Sequence, residues 1–223
     1  MIVSSQEPIT LIGGGQVSAA DVNLALPLAP TLVAADGGAD KALAFGAMPD
    51  AVIGDLDSIT EKARTAIPAD RIYHVAEQDS TDFEKALREV SAPLIIAVGF
   101  TGARMDHQLA VLNTLVRFPQ KRCILLGGHE VLALCPPSFR LDVEEGTTVS
   151  LFPMGAVEGV SDGLQWPISG LHFGPDGQVG TSNVATGPID IALTAPKMLI
   201  MLPRVVFPKM VEALLDTPSH WHG

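Results

Sequence analysis

Five short apolar runs in the first half of this chain each give way to a Gly- or Asp-rich stretch and then to a helix-like segment. That alternation limits the fold more than any other feature. The runs are 9–12, 31–35, 51–53, 72–75 and 94–98. The segments 19–26, 39–45, 60–66, 83–90 and 105–118 read as helices, with Ser18 and Thr60 as caps. Near-continuous apolar strands alternating with helices predict a parallel sheet covered on both faces. Ligands of such sheets sit beyond the carboxyl ends of the strands. Every Gly/Asp-rich stretch here follows a strand, so Asp36, Asp55, Asp57, Asp79, Asp82 and Asp106 are delivered to one edge. Loops that only turned would use Asn, Ser, Gly and Pro as freely.

The centre of this edge is Gly54-Asp55-Leu56-Asp57-Ser58. Two carboxylates held close repel, so either one is protonated or a cation lies between them. Mg²⁺ suits oxygen ligands and often binds through one or two carboxylates plus substrate phosphates. A plain turn is the alternative. Asp36-Gly37-Gly38 reads equally as a nucleotide or metal contact and as a helix N-cap after a tight turn. Capping by Asp82 explains one acid, but not Asp79, Thr81 and Asp82 together beside Gln78. If Ser80 or Thr81 is the cap, Asp82 is released for other work. Glu84, Lys85 and Arg88 read as the polar face of the helix that follows. Arg104 suits a polyphosphate or an ion pair with Asp106; His107 reads as structural. Gly13-Gly14-Gly15 could offer amides to a phosphate, but with Ser18 where a third fingerprint glycine would fall, a turn is the better reading.

Beyond about residue 118 the grammar changes. Runs at 123–126, 131–134, 139–143, 147–152, 189–193 and 197–202, punctuated by Gly and Pro, predict a small β-sandwich or barrel. The expected division is an α/β domain over 1–125, a β-sandwich over 126–210 and a C-terminal tail over 211–223, whose polar end from 216 to 223 is expected to fray. In the β half, Trp166 suits stacking on a flat heterocycle or a place in the core.

The net charge of −11 over 223 residues argues against a nucleic-acid or anionic-membrane surface. Two cysteines, Cys123 and Cys135, are too few for a disulfide framework and lie in apolar runs. With no signal peptide or membrane-length apolar run visible, the expectation is a soluble, cytoplasmic protein.

In order along nearly the whole chain, five segments resemble the thiamine pyrophosphokinase family. They are Ala35-Asp36-Gly37-Gly38-Ala39, Gly54-Asp55-Leu56-Asp57-Ser58-Ile59, the stretch from Gln78-Asp79-Ser80-Thr81-Asp82 to Leu87, Gly102-Ala103-Arg104-Met105-Asp106-His107, and Gly163-Leu164 with Trp166-Pro167 and Thr181-Ser182-Asn183. Ala103 departs from the family's second glycine.

The resemblance implies a Rossmann-like α/β domain followed by a β-sandwich domain. It implies transfer of a diphosphoryl group from ATP to thiamine with Mg²⁺, in a homodimer whose site lies between subunits. It implies Asp55, Asp57 and Asp82 on the metal and Arg104 on the phosphates, with Asp106 and Asp36 completing the acidic site. Gly37, Gly38 and Thr81 would line the nucleotide, and Gln78, Trp166, Ser182 and Asn183 would bind thiamine. Two other readings of the same acidic edge are a metal-dependent phosphoesterase and a nucleotide-binding module without turnover.

Overall fold

The structure is a computed structural model and describes every residue except Gln78, Ala103, Ser219 and Gly223. The chain forms two units. One comprises residues 1–114 with 125–127, the other 115–124 with 128–223.

In the first unit a short strand β1 (Val3–Ser4) precedes β2 (Ile9–Ile12), α1 (Ala19–Ala25), β3 (Thr31–Ala35), α2 (Gly38–Ala44), β4 (Ala51–Gly54) and α3 (Glu61–Ala66). Then come β5 (Ile72–His74), α4 (Asp82–Glu89), β6 (Val90–Ser91), β7 (Ile95–Val98) and α5 (Met105–Arg117). β2 pairs with β7, β3 with β4 and β4 with β5, all parallel, and β3 lies beside β2. Every residue of β2, β4 and β7 is buried, as covering both faces of a parallel sheet requires. Each buried Ile, Leu or Val contributes roughly 1.5–3 kcal/mol.

The helices start where the caps direct. Ser18 and Asp21 form a capping box on α1, and Thr60 and Thr81 cap α3 and α4. The edge pair β1–β6 escaped the sequence reading because two-residue strands carry no period.

Strand β8 (Cys123–Leu126) divides between the units. The second unit contains β9 (Glu130–Leu134), β10 (Ser138–Leu141), β11 (Thr148–Pro153), β12 (Gly159–Leu164), β13 (Gly180–Leu193), β14 (Met198–Pro203) and α6 (Phe207–Asp216). Its ladders are antiparallel, and β13 is the hub, pairing with β10, β11 and β12. Thr181, Ser182 and Asn183 lie inside this strand. Their turn-like composition reflects a bulge, where the β11–β13 register shifts and Ser182 adopts φ 61°.

Residues 211–216, the first part of the expected tail, belong to a helix. α6 buries Phe207, Met210, Val211 and Leu214, a helical stripe, and packs on β10. Trp221 Nε1 then donates to the Cys135 carbonyl at 2.9 Å. Both cysteines are buried and unpaired. Among the described residues, no helix is long and apolar enough to cross a membrane.

Candidate functional site

The strand carboxyl ends of the first unit open on a cleft of about 590 Å³. Asp55, Asp57, Thr81, Asp82, Lys85 and Arg104 are among its lining residues, with Gly37 from the turn into α2. Asp36, Asp55 and Asp57 each offer one carboxylate oxygen within 4.8 Å of the others.

The backbone is forced to bring these acids together. Asp36 sits at φ 43° and Leu56, between the other two acids, at φ 65°. A left-handed non-glycine residue costs about 1–3 kcal/mol and gathers at functional sites. A side chain on Gly38 would run into the Ile12 carbonyl, so this turn closes only with glycine there. Ser58 then ties the set together. Its N–H donates to Asp36 Oδ2 at 3.2 Å and its hydroxyl to Asp57 Oδ1 at 2.8 Å.

Asp36 is 1% exposed. Burial, then the charges of Asp82 and Asp57, push its carboxyl up to about 6 against the Ser58 N–H. Its Oδ1 is buried with no hydrogen-bond partner among the described residues. An orphaned buried carboxylate oxygen is costly. A hard cation held by Asp36, Asp55 and Asp57 removes that cost, so the residues present fit Mg²⁺.

Asp82 stands outside that triplet of oxygens. Thr81 caps α4 by accepting the Glu84 N–H at 3.2 Å, so Asp82 is not needed as the cap. Burial lifts the Asp82 carboxyl above its usual range, with Asp55 and Asp57 adding to the lift, against the pull of Lys85.

Lys85 is not on a solvated face. Its side chain is 2% exposed and its ammonium lies 2.8 Å from Asp55 Oδ2 and 3.3 Å from Asp82 Oδ1. Burial works against its charge, but the hydrogen bond it donates to Asp55 and the charge of Asp82 outweigh it and raise its pKa. The signal was present in the sequence, since residues three apart on a helix share a face. The charged composition of α4 hid it.

Arg104 also lines the cleft, but its guanidinium holds Asp106 at 2.6 and 3.2 Å, with both side chains 65% exposed. That pairing lowers the Asp106 carboxyl below its usual range. The glycines after β2 serve packing. Gly13 and Gly15 give their N–H groups to Val98 and Gly99 carbonyls, which removes these two amides from any phosphate. Gln78 lies outside the described residues.

In the second unit, Trp166 is 56% exposed, not in the core. Asn183 is buried, and its amide is committed to the backbone of Trp166 and Val184. It therefore holds the loop that presents the indole. Ser182, exposed, takes its left-handed backbone with its N–H on Ser150 Oγ at 2.9 Å.

An α/β unit with a cation-fitting acidic edge, followed by an antiparallel β unit, defines the class. Residues 23–126 match the family model for the thiamin pyrophosphokinase catalytic domain, and residues 138–198 that for its vitamin B1 binding domain. The chain belongs to the thiamine pyrophosphokinase family.

Thiamine pyrophosphokinase 1 of Arabidopsis thaliana is 30% identical over 155 residues, 61% of this chain and 58% of that protein. The matched stretch thus spans a little over half the length of this plant relative. The Bacillus subtilis thiamine pyrophosphokinase is 29% identical over 155 residues, 63% of this chain and 72% of that one. In fold, the chain resembles thiamin pyrophosphokinase from Candida albicans, with TM-score 0.75 and 16% identity over 90% of this chain and 91% of that one. The protein from Geobacillus thermodenitrificans gives TM-score 0.73 and 23% identity over 88% and 96%.

Proposed function

We propose that this protein transfers the diphosphoryl group of ATP to the hydroxyl of thiamine, giving AMP and thiamine diphosphate. The observation that carries the reading is the convergence of Asp36, Asp55 and Asp57 at the sheet edge, with Asp36 Oδ1 buried and unpartnered. Family membership supplies the acceptor. In the balanced reaction the thiamine oxygen bonds to the β-phosphorus, the bond from that phosphorus to the α–β bridging oxygen breaks, and the hydroxyl proton leaves.

The α/β unit is the ATP- and Mg²⁺-binding part of this reading, and the β unit the thiamine-binding part. Asp36, Asp55 and Asp57 would hold Mg²⁺, with Asp82 beside them. When bound, the ion neutralises phosphate charge. Transfer of this kind is mostly positioning and charge stabilisation. Arg104 leaves Asp106 for the phosphates, and Asp106, a carboxylate of the same edge outside the metal set, receives the proton. Gly37, Gly38 and Thr81 lie against the nucleotide. Trp166, on the loop that Asn183 holds, stacks on a thiamine ring beside Ser182, and Gln78 reaches thiamine.

The acceptor comes to the acids from a second copy in a homodimer. Met105, 71% exposed, and Leu109, 55% exposed, lie one turn apart on α5 and suit such an interface. Incubation with ATP, Mg²⁺ and thiamine is expected to yield AMP and thiamine diphosphate in equal amounts. Phosphate release independent of thiamine would contradict the reading. Light scattering is expected to give twice the chain mass, and a single chain mass would contradict the dimer.

A further inference from the structure

We propose that Lys85 is a positioning residue: its buried ammonium joins the loop after β4 to the start of α4, holding Asp55 and Asp82 in their metal-competent arrangement before any cation arrives. The proposal rests on the metal-holding part of the reading above.

Asp55 and Lys85 are 30 residues apart in sequence and belong to different strand-end segments. Asp55 lies just past the end of β4 and Asp82 opens α4. The ammonium joins them directly, at 2.8 Å to one and 3.3 Å to the other. Lys85 is among the largest fully buried side chains of the protein, and the Asp55 side chain is 14% exposed, so this arm of the link is screened little by salt; the Asp82 arm ends on a carboxylate 40% exposed to the cleft. The segment it rides on is fixed too. Phe83, two residues earlier, is buried and meets the Phe100 ring at 4.7 Å, and Thr81 caps the helix. The ammonium engages Oδ2 of Asp55, which orients that carboxylate while Asp36 and Asp57 supply the neighbouring oxygens.

Charge alone makes the opposite forecast. A cation beside a metal site repels the metal, so its removal should tighten metal binding. Positioning predicts that removal loosens it. Partners that orient metal ligands typically contribute 10–100-fold in affinity.

The test uses the full-length protein and Mn²⁺ alone as a paramagnetic probe, with binding read by electron paramagnetic resonance. Lys85→Met, which keeps the stem and removes the charge, is expected to weaken Mn²⁺ binding on the order of tenfold. Lys85→Arg, which keeps the charge but cannot place one nitrogen between the two acids, is expected to weaken it by at least about threefold. Unchanged or tighter binding in a folded Lys85→Met protein overturns the proposal. Where that variant fails to fold by circular dichroism, unchanged binding in Lys85→Arg overturns it.

In turnover, the KM for Mg²⁺-ATP is expected to rise on the order of tenfold with the KM for thiamine unchanged. An equal rise in both marks a merely structural role and overturns the proposal. Wild-type protein that binds Mn²⁺ tightly yet makes no AMP from thiamine contradicts the thiamine reading and leaves the role of Lys85 standing. Wild-type protein that binds no Mn²⁺ overturns the role of Lys85.

Discussion

The side-chain amide of Asn183 brackets the backbone of Trp166: Oδ1 accepts the Trp166 N–H at 3.2 Å, and Nδ2 donates to the Trp166 carbonyl at 2.7 Å. A peptide group held on both sides keeps the exposed indole in one place. Asn183→Ala leaves three backbone groups without these partners, the Trp166 N–H and carbonyl and the Val184 N–H, at about 1–3 kcal/mol each. The expected result is a raised KM for thiamine with the KM for Mg²⁺-ATP unchanged. An unchanged thiamine KM would mean that Trp166 takes no part in binding.

On the proposed metal-holding reading, Asp36 links metal binding to pH. Its carboxyl is pushed up to about 6 in the folded protein, above the roughly 3.9 of an unfolded chain. The folded state therefore binds more protons between these values. Metal-free stability is fully present below about pH 4 and declines as pH rises through about 6. Mg²⁺ binds the ionised form, so its stabilising effect grows over the same interval. Melting curves with and without Mg²⁺ are expected to diverge from pH 5 to pH 7. A Mg²⁺ effect equal at both ends would remove Asp36 from the metal site.

Asp57 is exposed and repelled by its acidic neighbours, so on the proposed reading it would contribute chemistry at little benefit to stability. Asp57→Asn is expected to abolish turnover while the melting temperature holds or rises slightly. A fall of many degrees would show that the Ser58–Asp57 hydrogen bond is structural.

α6 belongs to the core of the β unit. Phe207 is fully buried, and Phe207→Ala is expected to cost about 3–5 kcal/mol in urea unfolding. A loss below about 1 kcal/mol would show that α6 adds little to that core.

The parallel strands were legible because they are apolar along their whole length and end in Gly or Asp. The acids were legible for the same reason, since strand ends share an edge. Which oxygens meet was not. Residues 36 and 57 come together through two left-handed residues and the Ser58 hydrogen bonds, and composition does not reveal these. Lys85 read as a surface charge because a buried ammonium differs from an exposed one only through its partners. β13 was broken into pieces by Thr181, Ser182, Gly187 and Pro188, which here mark irregular backbone inside one strand. α6 was overlooked because Pro208 near its start and the polar end beyond it masked the spacing of Phe207, Met210, Val211 and Leu214.

The central claim is that the acidic edge serves thiamine-dependent diphosphoryl transfer. The most direct measurement follows AMP and thiamine diphosphate with purified protein, ATP and Mg²⁺, with and without thiamine. AMP formation that requires thiamine and matches thiamine diphosphate mole for mole is the predicted result. ATP consumption indifferent to thiamine, or ATP binding without consumption, would contradict it.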